Sequence, residues 1–462
     1  MRASEVQGTR FSVIGGARSG LAVAALLHAH GGKVFLSEKA PAEKLGELRR
    51  ELERRTIPYE FGGHSSRVLD ADVVVLSPGV PSDAPVIRDA LSHGMAVVSE
   101  LEVASWFCRA PIVAISGTNG KTTTTALTGR MFSDARVPTV VAGNIGAAFS
   151  GMVEELTGDH VAVLEVSSFQ LDHIGTFRPR VAALLNITPD HLDRYGHSLE
   201  KYRDSKCRIF ENQGGGDTLI YNADDRSVRD AVERRAPHGV ALLPFSQEQS
   251  LGKGAYVRDG RLLVSTAGKP AELCAVDAIS IPGTHNLYNA MAAALAAEEM
   301  GVPAASIRAT LKNFRGVEHR LEFVREVNGV RYVNDSKGTN VDSVWYALRS
   351  YSAPIVLLLG GRDKGNDYAR LFEQVRQHVR AIVAIGESAE KVRGAFAALV
   401  PVTLAMSMSE AVAEASRLAH RGDVVLLSPA CASFDWFDNY EHRGRVFKEL
   451  VLRLEAAGRE NV

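Results

Sequence analysis

The stretch VAISGTNGKTTTTALTG, Val113–Gly129, constrains this chain more than any other part of it. A short apolar run leads into Gly117-Thr118-Asn119-Gly120-Lys121-Thr122-Thr123, and a segment of helical length follows. Glycines let backbone N–H groups close around phosphate oxygens, and a helix N-terminus favours negative charge. Lys121 suits the β and γ oxygens of a nucleotide, and the Thr122 hydroxyl suits a Mg²⁺ shell. Position 115 is Ile, so the full G-x-x-x-x-G-K-[ST] pattern is not met. A strand that feeds such a loop predicts a parallel α/β sheet with its ligand at the carboxyl ends of the strands.

The rest of the chain agrees. Short β-branched runs, among them Phe11–Ile14, Lys33–Leu36, Val73–Leu76, Ile355–Leu359 and Val424–Leu427, alternate with stretches of helical length. With 462 residues the chain exceeds one hydrophobic core. Three α/β domains are expected: 1–100, 101–316 and 317–462. The first and last are Rossmann-like and the central one P-loop ATPase-like with a parallel sheet. Asn328-Gly329, inside LEFVREVNGVRYVND, predicts a hairpin at the start of the last domain.

Lys+Arg 53 against Asp+Glu 54 argues against a nucleic-acid or membrane-surface binder. No apolar run approaches the ~20 residues that span a bilayer, and MRASEVQGTR has no apolar signal core. Four dispersed cysteines without a C-x-x-C pair fit a reducing cytosol. A cytoplasmic protein without membrane insertion is expected. The charged run Lys44–Arg55 reads as a solvated helix face.

Glu165 closes the run VAVLE, and a carboxylate at a strand end beside a phosphate loop can hold Mg²⁺. In LLNITPDHLDRYGH, His191 lies between Asp190 and Asp193, which can orient an imidazole. A cationic Lys206 makes little sense near a metal–phosphate cluster. Near the N-terminus, Gly15-Gly16-Ala17-Arg18-Ser19-Gly20 resembles a dinucleotide fingerprint whose middle glycine is replaced by Ala17. Taken singly, each of these reads as readily as a turn, a cap or a surface residue.

GTNGKTT is, however, the form used by the Mur ligases and folylpolyglutamate synthases, and the chain resembles the Mur ligase family along nearly its whole length. NITPDHLDRY resembles the segment whose histidine, here His191, binds a second Mg²⁺. The lysine of YRDSK, here Lys206, is carbamylated in that family and becomes a carboxylate-like ligand. GTHNLYN resembles G-x-H-N-x-x-N, which implies adenine contacts for Asn286 and Asn289. His319-Arg320 resembles a pair whose arginine reaches the ATP phosphates.

NDSKGTN (Asn334–Asn340) and SPACASFDWFDNYEHRG (Ser428–Gly444) resemble the subgroup that adds D-glutamate. That implies ribose contact for Asp335 and a D-glutamate pocket of Lys337, Thr339, Lys364, Ser433, Phe434 and Tyr440. Arg18, Ser19, Gly20, Ser37, Gly79 and Asn144 would face a UDP-linked substrate, with His191 reaching it too. The resemblance implies an ATP-dependent ligase using two Mg²⁺ ions, with UDP-N-acetylmuramoyl-L-alanine and D-glutamate as substrates, acting as a monomer. Lys121, His191, Lys206 and Arg320 would serve catalysis. The rivals are a superfamily member with another acceptor and a nucleotide sensor without chemistry. The Asn334–Asn340 and Ser428–Tyr440 blocks argue against the first, and Glu165, His191 and Lys206 together against the second.

Overall fold

The computed structural model describes residues 1–144, 147–266, 270–363 and 365–455. Its strands form three sheets along the chain, mostly parallel, in a three-domain α/β architecture. The first holds β1 (Arg10–Ile14), β2 (Lys33–Glu38), β3 (Tyr59–Phe61), β4 (Val73–Leu76) and β5 (Ala96–Ser99). Their order is β3-β2-β1-β4-β5 and every pairing is parallel. β1 lies where the strand order reverses, which is where open α/β sheets form a ligand crevice.

The second sheet holds β6 (Ile112–Ser116), β7 (Thr139–Gly143), β8 (Val161–Glu165), β9 (Val181–Leu184), β10 (Thr218–Asn222), β11 (Ala241–Ser246), β12 (Gly254–Arg258), β13 (Arg261–Ser265) and β14 (Ala271–Ala275). The order is β14-β13-β12-β11-β10-β9-β6-β8-β7, with only the β12–β13 and β13–β14 pairings antiparallel. All five residues of β6 are buried, as a central parallel strand requires. β6 lies between β8 and β9, with Ile115 opposite Glu165 on one side and Ala183 on the other. The phosphate loop therefore leaves the sheet at its own strand-order switch.

The helix after that loop, Lys121–Asp134, opens with four threonines, which are weak helix formers. Packing stabilises it instead: Thr122 to Thr125, Leu127, Met131 and Phe132 are buried. Thr128 also returns its hydroxyl to the Thr124 carbonyl at 2.7 Å.

The third sheet holds β15 (Glu322–Val327), β16 (Val330–Asn334), β17 (Ile355–Gly360), β18 (Val379–Ile385), β19 (Val402–Ala405) and β20 (Val424–Leu427) in the order β15-β16-β20-β17-β18-β19. β15 and β16 form the expected antiparallel hairpin, and Asn328 (φ 55°) and Gly329 (φ 78°) supply the two positive angles of its turn.

By contacts the chain divides into two compact units, Met1–Ala278 with Tyr288–Lys312, and Ile279–Leu287 with Asn313–Val462. The first two sheets share one unit because they share apolar packing. Leu26, from the helix after β1, lies in the same buried cluster as Leu101, Phe149 and Ala162. Among the described residues no helix is long and apolar enough to cross a membrane.

Candidate active site

The phosphate loop is held open by its neighbours. Gly117 (φ 156°) and Gly120 (φ 86°) take angles that favour glycine. A Cβ on Gly120 would come within 2.3 Å of Asn289 Oδ1. Asn119 N–H donates to Asn186 Oδ1 at 2.8 Å, and Asn186 Nδ2 donates back to Asn119 O at 3.0 Å. Thr118 Oγ1 accepts from Thr188 N–H at 3.0 Å and from the Tyr202 hydroxyl at 3.3 Å. Asn186, Thr188 and Tyr202 thus latch the loop, a role that the sequence reading missed. Pairwise sequence spacing carries no signal for it, because Asn186 and Thr188 follow β9 and Tyr202 lies on the helix Leu199–Cys207, 67 to 84 residues beyond their partners in the loop.

Lys121 folds over the loop, its Nζ donating to Gly117 O at 2.8 Å and Thr118 O at 2.7 Å. Lys206, 1% exposed, donates to the same Gly117 carbonyl at 2.8 Å. Burial pushes the Lys206 amine well below the ordinary lysine range and Lys121 pushes the same way, against Asp190 and Asp172. Asn289 is buried against the loop, where its Oδ1 accepts from Thr124 Oγ1 at 3.2 Å.

Glu165 ends β8 at the same sheet edge and is 2% exposed. Its Oε1 accepts from Asn144 Nδ2 at 3.2 Å, whereas its buried Oε2 has no hydrogen-bond partner. An orphaned carboxylate oxygen in this place fits a cation. His191 follows β9 in left-handed backbone (φ 51°), its N–H on Asp190 Oδ1 at 3.0 Å and its ring edge-on to Phe169 at 5.2 Å. Strands β8, β6 and β9 thus bring Glu165, the Lys121 loop and His191 to one edge.

Beside β1 a cleft of about 1120 Å³ opens. Arg18, Ser19, Gly79 and Asn144 line it, together with Glu38, Lys39, His64 and Ser77. Gly20 and Ser37 lie beneath the lining and are buried. A Cβ at Gly20 would meet Gly15 O at 1.8 Å, so this glycine permits close contact between helix and loop. Glu38 Oε2 accepts from Gly16 N–H at 2.6 Å and tethers the glycine turn.

In the second unit the two subgroup blocks meet. Asp335, 1% exposed, accepts from Ser428 Oγ at 2.7 Å and Leu321 N–H at 3.2 Å, and Arg320 Nη1 lies at 3.8 Å. Burial pushes its carboxyl upward, opposed by Arg320 and Ser428. Arg443, also 1% exposed, stitches the blocks together. It donates to Ser336 Oγ at 2.9 Å, Ser336 O at 2.8 Å, Cys431 O at 3.2 Å and Ala432 O at 3.3 Å. Burial lowers this guanidinium to about 10.

Lys337 Nζ lies 5.2 Å from the Tyr440 ring, and Thr339 is on the same turn, its N–H on Lys337 O at 2.9 Å. Phe434 is 62% exposed and Ser433 is buried, while Asn286 is buried with its Nδ2 on Pro282 O at 2.7 Å. Lys364 lies outside the described residues. Glu318, His319 and Glu322 also have ligand atoms within 4.8 Å of one another, but Lys448 bridges the two glutamates at 2.9 and 2.5 Å.

Residues 11–86 match the MurD N-terminal domain, residues 115–297 the Mur ligase middle domain and residues 319–431 the Mur ligase glutamate ligase domain. The UDP-N-acetylmuramoylalanine–D-glutamate ligase of Salinibacter ruber is 53% identical over 462 residues, 98% of this chain and 100% of that protein. The chain belongs to the Mur ligase family. The enzyme of the same name from Chloroherpeton thalassium is 49% identical, again over 98% of this chain and all of that protein.

Among solved structures, the Mur ligase fold recurs in the UDP-N-acetylmuramate–alanine ligase of Thermotoga maritima. Its TM-score is 0.61 at 20% identity, covering 96% of this chain and 99% of that one. The Thermotoga maritima MurF ligase, solved with ADP, gives 0.59 at 16% identity over 91% and 96%.

Proposed function

We propose that this Mur ligase joins D-glutamate to UDP-N-acetylmuramoyl-L-alanine at the expense of ATP, in the cytoplasm and as a monomer. Residues 1–100 take the UDP moiety, 101–316 take ATP and 317–462 take D-glutamate. The observation that carries the reading is the pairing of Lys121 and Lys206 on one carbonyl of the phosphate loop, at the sheet edge where Glu165 keeps an unused oxygen. A buried ammonium beside the Mg²⁺ ions of such a site would repel them, whereas a carbamate there would hold them.

In this reading Lys121 leaves the Gly117 and Thr118 carbonyls for the β and γ oxygens, and the loop N–H groups from Gly117 to Thr123 cradle the phosphates. The alanine carboxylate attacks the γ-phosphorus, the bond to the β-phosphate oxygen breaks, and ADP leaves. The D-glutamate amine then attacks the acyl phosphate carbon. The C–O bond to phosphate breaks and the amine proton passes to solvent.

Arg320 offsets charge on the phosphates, Asp335 holds the ribose, and Asn286 and Asn289 hold the adenine. Lys337, Thr339, Lys364, Ser433, Phe434 and Tyr440 hold D-glutamate. Arg18, Ser19, Gly79, Asn144 and His191 face the UDP substrate, with Gly20 and Ser37 beneath them. Two Mg²⁺ ions held by Thr122, Glu165, His191 and carbamylated Lys206 would screen the negative charge of the transferring phosphoryl group. Burial favours the neutral form of the Lys206 amine, the form that attacks CO₂: an N–C bond forms, a proton is lost, and a ligand of opposite charge results.

The test is phosphate release from ATP with UDP-N-acetylmuramoyl-L-alanine and, in turn, D-glutamate, L-glutamate, L-lysine and meso-diaminopimelate. Release with D-glutamate alone is expected. Turnover only with another amino acid would remove the D-glutamate assignment, and none with any of them would favour a nucleotide sensor.

A further inference from the structure

The cleft wall beside β3 contains a histidine that none of the motifs explains. His64 is partly buried and lines the cleft. Its Nδ1 lies 2.7 Å from Ser37 Oγ, and Ser37 Oγ lies 2.6 Å from Glu60 Oε1. Ser37 and Glu60 are register partners on β2 and β3, so the sheet itself fixes this contact. Burial raises the Glu60 carboxyl, but hydrogen bonds from Ser37 and Ser65 outweigh it and hold the group below its ordinary value. Glu60 is therefore an ionised acceptor near neutral pH. Burial lowers His64, which is therefore neutral there.

The proton assignment follows from counting. A serine hydroxyl has one hydrogen, and an ionised carboxylate can only accept. Ser37 gives its proton to Glu60, so Nδ1 of His64 must carry hydrogen and donate to Ser37 Oγ. A neutral imidazole with Nδ1–H has a bare lone pair on Nε2. The Glu60–Ser37–His64 chain thus turns one wall of the cleft into a fixed acceptor.

Position narrows what that acceptor meets. In sheets of this order a nucleotide lays its phosphates on the turn after β1 and its ribose at the acidic residue ending β2. Here those are the Gly15–Ser19 turn and Glu38. His64, one strand further out, falls where the base would lie.

We propose that His64 Nε2 accepts the N3–H of uracil, and that Ser37 and Glu60 are positioning residues that fix its tautomer and so select uridine over cytidine nucleotides. Cytosine presents a lone pair at N3, which would face the lone pair of Nε2. The proposal rests on reading the cleft as the UDP site, and assigns base selection within it.

The experiment is calorimetric titration of the full chain with UDP, CDP, 2′-deoxy-UDP and 3-methyl-UDP. The wild type should bind CDP and 3-methyl-UDP at least about tenfold more weakly than UDP, and any loss for 2′-deoxy-UDP, whose ribose faces Glu38, should be the same in His64→Ala. His64→Ala should lose about tenfold for UDP and bring UDP and CDP together. Ser37→Ala should narrow the UDP/CDP ratio in part, and ¹⁵N spectra of its His64 ring should lose the pure Nδ1–H signature seen in the wild type.

A His64→Ala variant that weakens UDP and CDP equally overturns the proposal, as does a wild type indifferent to the base. A 2′-deoxy-UDP penalty present in the wild type and gone in His64→Ala moves His64 to the ribose and overturns it too. If the wild type binds none of the four, the cleft is no nucleotide site, and that reading falls first.

Discussion

Lys121 and Lys206 converge on the carbonyl of Gly117, each at 2.8 Å. An ammonium at Lys206 would face that of Lys121 over one acceptor and lose its hydration, so the buried amine destabilises the protein in its unmodified state whether it stays charged or gives up its proton. Lys206→Met keeps most of the length of the side chain and removes the amine. It should raise thermal stability by about 1 kcal/mol or more while lowering phosphate release at least about a hundredfold. Melting curves and turnover of the same preparation check both halves, and a variant that melts lower contradicts the first. Lys121 was legible in the sequence because loop, lysine and helix are contiguous. Arg443 was not: as one residue of an R-G pair it gives no hint that its guanidinium is buried among the carbonyls of Ser336, Cys431 and Ala432. His64 was hidden likewise, since its partners Ser37 and Glu60 come from two strands.

The helix Glu100–Phe107 carries two buried carboxylates two residues apart, and their surroundings set them against each other. Glu100 accepts from Ser150 N–H at 2.7 Å, and burial dominates, raising its carboxyl above the ordinary 4.5. Glu102 is raised by burial too. The N–H groups of Gly175, Thr176 and Phe177, the Thr176 hydroxyl and the Trp106 indole outweigh that and leave it lowered. The signs of the pH dependence are therefore opposite. Folded Glu100 holds its proton more tightly than the unfolded chain does, so stability falls as pH rises from about 4.5 toward the folded value. Glu100→Gln should remove that fall and leave the protein at least as stable at pH 7. Folded Glu102 holds its proton less tightly, so its contribution is present above about 4.5 and fades as pH drops through the lower folded value. Glu102→Gln should cost about 2–3 kcal/mol at pH 7, with the gap closing in acid. Denaturant titrations of both variants from pH 4 to 8 read these slopes. Much at this scale was legible: the apolar runs of β6, β17 and β20 and the Asn328-Gly329 turn stand where the sequence suggests. The hairpin of β12 and β13 has an equivalent turn at Asp259-Gly260 (φ 51° and 69°). Neighbouring Arg258 and Arg261 mask the apolar alternation around it. The Glu102 brace was out of reach, because all its donors except the Trp106 indole lie 73 to 75 residues further along the chain.

For the molecule as a whole, three sheets but two compact units imply fewer cooperative transitions than domains. Calorimetry of the full chain should resolve two melting transitions, and Glu102→Gln should shift only that of the unit Met1–Ala278 with Tyr288–Lys312. Three independent transitions, or a shift in both, would contradict the division. Within that unit Asn144 has a place of its own. It lines the cleft, yet its Nδ2 holds Glu165 Oε1 and its N–H holds Glu165 O at 2.9 Å. A guest in the cleft that pulls on Asn144 also changes what Glu165 can offer to its other side. Such linkage is reciprocal, so whatever Glu165 grips must alter the welcome the cleft gives its guest by the same factor. One amide side chain thus ties the cleft to the carboxylate that ends β8, so that what binds at one is felt at the other.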